Sequence, residues 1–104
     1  MVSRFEGLPG GQRIEAGLRD LDEHRLTEDA LLVLIGAPRL RDLGIDVPTS
    51  TTVESPEHRL YERLAEADDL AAHSRYNALI RLLVSFERAA ARAQSEAEVV
   101  PRSS

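Results

Sequence analysis

The stretch that decides the fold is RLTEDALLVLIGAPRLRDLGI, residues 25–45, which contains five consecutive large aliphatic residues at 31–35. So short an aliphatic run fits a buried strand or a buried helix, because periodicity alone does not separate the two. The residues before it favour a helix. Thr27 is a preferred N-cap, and the two carboxylates that follow lie in the first turn, where the helix dipole stabilises negative charge. We therefore predict a helix over 28–35.

The same stretch carries signals for a helix end and for a second helix. Gly36 stands where a helix C-terminus favours a residue that tolerates positive φ, and Pro38 suits the first position of a new helix. Gly44 then ends this second short helix, which we predict over 38–43. The alternative is a strand over the aliphatic run that pairs with residues 51–53.

Residues 56–94 carry helical signals throughout and form either one long helix or two. Ser55 followed by proline is a strong helix start. One helix of this length would measure about 58 Å, whereas a compact domain of this size has a radius of gyration of about 13 Å. The apolar stripe also changes phase near 73–74, where Ser74 can act as a new N-cap. We favour two helices and keep their fusion into one as the alternative.

Together with a stripe of apolar residues in the first helix, these signals predict an all-α fold. We expect a small bundle of about five helices in a single domain over 1–94, followed by a flexible tail over 95–104. The predicted helices cover residues 12–24, 28–35, 38–43, 56–73 and 75–94.

Composition excludes several kinds of chemistry. The chain of 104 residues has no Cys, and all 13 of its basic residues are Arg. The absence of Cys removes thiolate nucleophiles, disulfides and cysteine-based zinc sites, and the absence of Lys removes Schiff-base chemistry. Arginine cannot replace lysine as a base because it stays protonated. The sequence predicts no cofactor, and an enzyme is the less favoured interpretation.

Charge and hydropathy limit the partners. The formal net charge is −5 and the pI is near 5.1, whereas a protein that binds nucleic acid usually presents a surplus of positive charge. No segment approaches the roughly 20 apolar residues of a membrane span, and the segment MVSRFEGLPGG lacks the apolar centre of a signal peptide. We therefore expect a cytoplasmic protein that does not associate with membranes and for which nucleic acid is a disfavoured partner.

The predicted helix over 75–94 has the most informative pattern. Its large apolar residues span roughly 200° of the circumference, whereas a surface helix needs little more than about 100°. We predict that a second copy covers the extra width and forms a homodimer. The predicted interface residues are Leu79, Ile80, Leu83 and Phe86. A polar ridge on the same helix offers contacts to an anion or an acidic partner, and it consists of Arg81, Ser85, Arg88 and Arg92.

A second set of polar side chains has the spacing of a metal site. At helical spacing the set falls within one arc of about 80°, but that arc is opposite the apolar stripe and should face solvent. We interpret it as a solvated face, with a metal-dependent or hydrolytic enzyme that uses His73 with Asp69 or Glu66 as an alternative. The set consists of His58, Glu62, Glu66, Asp69 and His73.

The sequence therefore favours a non-catalytic helical interaction or assembly module that self-associates through its C-terminal helix. The first alternative is a small nucleic-acid-binding regulator, because residues 27–44 resemble a helix-turn-helix with Arg39 and Arg41 in the second helix. That second helix is barely two turns long and offers no Asn, Gln or Lys to read base edges, which argues against this alternative.

Overall fold

The protein is described here by a computed structural model that covers residues 5, 7–49 and 53–99, the last four of them by their backbone. These residues contain four α-helices and no strand. The predicted all-α bundle is confirmed, with four helices in place of about five, and the strand alternative is wrong. The helices are α1 (Gly11–Asp22), α2 (Glu28–Asp42), α3 (Pro56–Ala67) and α4 (Ala72–Val99).

Helix α2 is the centre of the bundle, because it packs against each of the other three helices. Contact on several sides explains why its sequence is apolar around most of its circumference. The aliphatic run at 31–35 lies inside this helix, and its first three residues are almost completely buried. The buried residues of α2 are Ala30, Leu31, Leu32, Val33, Gly36, Ala37 and Leu40.

The prediction of two short helices at 28–35 and 38–43 is wrong, because α2 continues through Gly36 and Pro38. The glycine is needed for packing: a Cβ at this position would lie 2.8 Å from Leu83 Cδ1 on α4. The proline removes one backbone donor, and this loss is offset by burial on both sides of it. With no turn between two helices, the helix-turn-helix interpretation of 27–44 loses its structural basis.

The predicted ends of α2 are confirmed. The Thr27 hydroxyl oxygen accepts a hydrogen bond from the Ala30 amide at 3.1 Å, as an N-cap does. At the other end Gly44 has a φ of 85°, and the Ile45 amide donates to the Leu40 carbonyl at 2.9 Å. This is the six-to-one bond of a Schellman motif, in which glycine avoids the steric penalty of a left-handed conformation.

Helices α1 and α2 approach each other closely. A Cβ on Gly17 would lie 2.3 Å from the Asp29 carbonyl oxygen, so only glycine fits at this contact. Helix α1 ends with His24 in the left-handed region at a φ of 61°, two residues beyond its last helical position. The predicted range of 12–24 is therefore confirmed to within two residues.

The predicted break between the last two helices exists but lies earlier in the chain. Helix α3 ends at Ala67, and Asp68 Oδ1 accepts a hydrogen bond from the Ala71 amide at 3.3 Å just before α4. Ser74 therefore lies inside the first turn of α4 and does not cap it. Ser55 is also not a side-chain cap, because its backbone is left-handed and its hydroxyl makes no capping bond.

Helix α4 is about 42 Å long and runs beside α2. Its Gln94 side chain donates a hydrogen bond to the Leu43 carbonyl at the end of α2, at 3.1 Å. The helix continues to Val99, five residues into the predicted tail, and residues 100–104 lie outside the described residues. In the part of the chain that the structure describes, every helix is too short or too polar to cross a bilayer.

Candidate interaction surface

The structure places the predicted dimer interface mostly inside the chain's own core. Leu79, Leu83 and Phe86 are all buried, with Phe86 at 0% exposure. The Phe86 ring meets the Phe5 ring edge-to-face with 5.3 Å between the ring centres. A partner could contact Leu83 and Phe86 only if the bundle opened, and it could reach no more than the 8% of Leu79 that stays exposed. Ile80 is half-buried and is the member of the predicted set that a partner can still reach.

Neighbours within the chain account for the wide apolar arc of α4. On one flank a Cβ on Gly10 would lie 2.9 Å from Leu82 Cγ, so the turn before α1 covers this leucine. On the other flank Tyr76 of α4 packs against Tyr61 of α3, with 5.7 Å between ring centres. The arc is therefore broad because α4 touches more than one neighbour, and its width alone does not require a second copy.

The predicted polar ridge is fully on the surface. All four of its residues are exposed, and its arginines form no ion pair with any described residue. We call this set the outward ridge, and it consists of Arg81, Ser85, Arg88 and Arg92. Helical geometry places Val84 and Ala91 beside it, and both are half-buried. The outward ridge thus combines exposed guanidinium groups, which form no ion pair with the described side chains, with an incompletely covered aliphatic margin.

The structure divides the predicted metal-site arc between two helices and the turn that joins them. His58, Glu62 and Glu66 lie on α3, Asp69 lies in the turn and His73 lies on α4, and all five are exposed. No three His, Cys, Asp or Glu side chains among the described residues are grouped closely enough to hold a metal ion.

The two histidines of that arc have local partners. His58 Nε2 lies 3.2 Å from Glu62 Oε2 one helical turn later, and His73 Nε2 lies 3.2 Å from the Asn77 side-chain amide. Both are contacts between neighbours on one helix face. This agrees with the interpretation of the arc as a solvated face.

Two surface depressions adjoin α3 and α4. One has a volume of about 130 Å³, with Leu26 and Leu31 between the charged side chains of Arg59, Glu62, Arg63 and Glu66. The other has a volume of about 150 Å³ and is lined by Arg13, Glu28, Arg75, Ala78 and Leu79. Both are smaller than the roughly 300–1,000 Å³ of typical small-molecule sites. They fit single side chains better than a metabolite.

The turn between α3 and α4 carries a feature that the sequence analysis missed. Leu70 is 96% exposed, the most exposed large apolar side chain of the described residues. With the break placed near 73–74, this residue appeared to be helical and part of a continuous face. The consecutive carboxylates Asp68 and Asp69 were the available signal for an earlier break, because Asp disfavours helix interiors and favours turns.

Two titratable groups on α4 have shifted pKa values. Partial burial raises the pKa of the Glu87 carboxyl, and the nearby Arg39 guanidinium opposes this by lowering it. Partial burial also raises the pKa of the Tyr76 phenol, and the negative charge of Glu57 raises it further. Neither group lines the two depressions described above, and both shifts arise mainly from the packing around α4.

Comparison with known protein families, curated proteins and solved structures gave no match for this chain. The function proposed below therefore rests on the exposed surface of α4.

Proposed function

We propose that this chain is a non-catalytic helical interaction module that self-associates as a homodimer through the outward ridge of α4. The observation that supports this most is the pairing of features on one helix side. The arginines of the ridge have no partner among the described residues, and half-buried Val84 and Ala91 lie beside them. Interfaces combine an apolar centre with a polar rim in which arginine is enriched.

This proposal moves the interface to the opposite side of α4 from the predicted one. Leu79, Leu83 and Phe86 stabilise the monomer, so a partner must use side chains that the monomer leaves open. Ile80 is half-buried against the core and lies between the two sets on the helix circumference. Each additional apolar Å² buried on association contributes about 25 cal/mol, and the arginines at the rim set orientation more than affinity.

Sedimentation equilibrium of the full chain over a wide concentration range tests the proposal. We expect a weight-average mass that rises from monomer to dimer with concentration. The variant Ser85→Tyr places a bulky ring in the middle of the outward ridge and should shift the transition to higher concentration. Asp22→Tyr, on the exposed end of α1, is the matched control and should leave the transition unchanged.

A monomeric mass at every concentration would overturn the proposal. Titration with a fluorescent duplex and a fluorescent single strand covers the nucleic-acid alternative. Binding that weakens steeply with added salt would assign the arginines to phosphates and would also contradict a self-association surface. We place the module in the cytoplasm, which subcellular fractionation of its source cells can check.

A further inference from the structure

Charges are segregated between the last two helices. Residues 56–71, which comprise α3 and the following turn, carry five carboxylates and two arginines. Residues 72–95 of α4 carry four arginines and one carboxylate, and Glu96 and Glu98 follow in the last turn of this helix. Opposite charges therefore lie on adjacent helices of one hairpin, which is the arrangement expected if each helix faces the other type in a second molecule.

Among the described residues, no ion pair connects the charges of α3 with those of α4. The ion pairs of the described residues lie within α3 or within the segment that contains α1 and the start of α2. Arg88 and Arg92 of the outward ridge are exposed, as are Glu62 and Glu66 of α3. Both sets are available to another molecule.

The two sets also match in spacing. Arg88 and Arg92 are four residues apart on α4, and Glu62 and Glu66 are four residues apart on α3, so each pair is separated by about 6 Å along its helix axis. Helices packed side by side can place both arginines opposite both glutamates. Guanidinium and carboxylate groups form strong hydrogen bonds in such a geometry.

The surface next to the two glutamates can receive an arginine stem. Glu62 and Glu66 border the depression of about 130 Å³ that contains Leu26 and Leu31. An arginine can lay its methylene groups over these leucines while its guanidinium meets a carboxylate. Two arginines of α3 also border the depression, and their repulsion directs an incoming guanidinium towards the glutamates.

We infer that the partner on the outward ridge is a second copy of this chain, docked so that Arg88 and Arg92 of each copy contact Glu62 and Glu66 of the other across a two-fold axis. This inference rests on the proposed self-association and specifies its geometry. A two-fold contact is self-complementary, so each molecule contributes one basic and one acidic set.

A charge swap tests this geometry. Arg88→Glu/Arg92→Glu places acidic sets opposite each other in its own homodimer, and Glu62→Arg/Glu66→Arg places basic sets opposite each other. We expect each variant alone to self-associate at least ~100-fold more weakly than the unmodified chain. An equimolar mixture should recover a heterodimer of nearly the original affinity, because both contacts are again between opposite charges.

Two controls separate this geometry from general charge effects. Arg19→Glu, on an exposed position of α1, changes net charge in the same direction as each α4 reversal and should leave association unchanged. Association of the unmodified chain should weaken as salt is raised, since salt screens exposed charges. This second measurement needs no variant and remains informative if a double variant fails to fold by circular dichroism.

The possible failures are distinct. If the unmodified chain stays monomeric, the proposed function and this inference both fall. If it dimerises but both reversed variants dimerise equally well, or their mixture shows no recovery, self-association stands and the pairing of α4 with α3 is wrong.

Discussion

The two helical hairpins of this fold differ in whether their charged side chains form ion pairs between helices. In the α1–α2 hairpin, Arg13 of the first helix reaches Asp29 of the second at 2.7 Å, and Arg25 pairs with Asp20 at 3.1 Å. In the α3–α4 hairpin, most carboxylates lie on α3 and the turn after it and most arginines lie on α4, and no ion pair among the described residues connects the two helices. Exposed ion pairs contribute only about 0–1 kcal/mol each, so the difference concerns specificity more than stability.

The hairpins also differ in how their helices pack. Backbone meets backbone at Gly17, where α1 and α2 leave no room for a side chain. Helix α4 meets its neighbours through side chains, as in the edge-to-face contacts Phe5–Phe86 and Tyr61–Tyr76. In the first hairpin the charged side chains pair within the chain. In the second hairpin the arginines of the outward ridge remain exposed to a partner. Four substitutions, each paired with a comparison variant and taken from the largest expected effect to the smallest, test this contrast.

Phe86→Ala should have the largest effect, because the ring is completely buried against Phe5. We expect the free energy of unfolding, measured by urea denaturation, to fall by about 3–5 kcal/mol. Tyr61→Ala removes a partly exposed ring from the other aromatic pair and should lower the free energy of unfolding by only about 1 kcal/mol. If Phe86→Ala left the stability unchanged and weakened self-association, Phe86 would belong to the dimer interface. That result would contradict its assignment to the core of the monomer.

Gly17→Ala should be destabilising by about 1–2 kcal/mol. The new methyl group would meet the Asp29 carbonyl oxygen, and displacing a backbone outweighs the better helix propensity of alanine. Gly36→Ala is the comparison in the α2–α4 contact, where the nearest atoms are the flexible ends of Leu83 and Glu87. Its effect on the thermal midpoint should be clearly smaller. Equal effects would show that α2 packs as tightly against α4 as it does against α1.

Thr27→Ala should lower the free energy of unfolding by about 1 kcal/mol, because the Ala30 amide loses its capping acceptor. The hydroxyl also donates to Asp20 Oδ2 at 2.5 Å, which ties the start of α2 to α1. Thr27→Ser keeps both bonds and should stay within a few tenths of a kcal/mol of the unmodified chain. A loss of similar size with serine would mean that the methyl group, not the hydroxyl, is what matters.

Glu87→Gln should produce the smallest effect, visible mainly in its pH dependence. Burial raises the pKa of Glu87 in the folded chain, so the folded state holds this proton more tightly than the unfolded state. Stability from this group is therefore present at low pH and is lost as the pH rises through the raised pKa. In Glu87→Gln the free energy of unfolding should not show this decrease. Chemical denaturation at several pH values measures it.

Arg39→Gln is the matched change for this carboxyl. It removes the cation that lowers the pKa of Glu87, so the decrease in stability should move to higher pH. If Arg39→Gln leaves the pH profile unchanged, the interaction between the two side chains is too weak to matter.

Local signals in the sequence predicted a large part of this fold. The N-cap at Thr27 and the Schellman glycine at Gly44 depend on residues within one turn, and both are confirmed. The same local logic failed at Gly36 and Pro38, because a helix continues through them when tertiary packing favours it. The break was predicted near 73–74 but lies at 68–71, since a phase change in the apolar stripe develops over several turns.

The candidate surface was harder to predict than the fold. The apolar arc of α4 was correctly recognised as wide, but a sequence does not say whether its neighbours come from one chain or two. Leu79, Leu83 and Phe86 turned out to face α4's own bundle. The arginine ridge was placed on the correct side, because helical spacing alone separates it from the buried stripe.

The hydrogen bond from Gln94 to the Leu43 carbonyl has a consequence for synthesis on the ribosome. It joins positions 51 residues apart, and the Phe5–Phe86 contact joins positions even farther apart. The α1–α2 hairpin can form as soon as it emerges, but the side of α2 that receives α4 stays bare until α4 has also left the exit tunnel. Nascent chains of this protein should therefore expose apolar surface in the interval between the emergence of α2 and that of α4, which makes them candidates for capture by a chaperone.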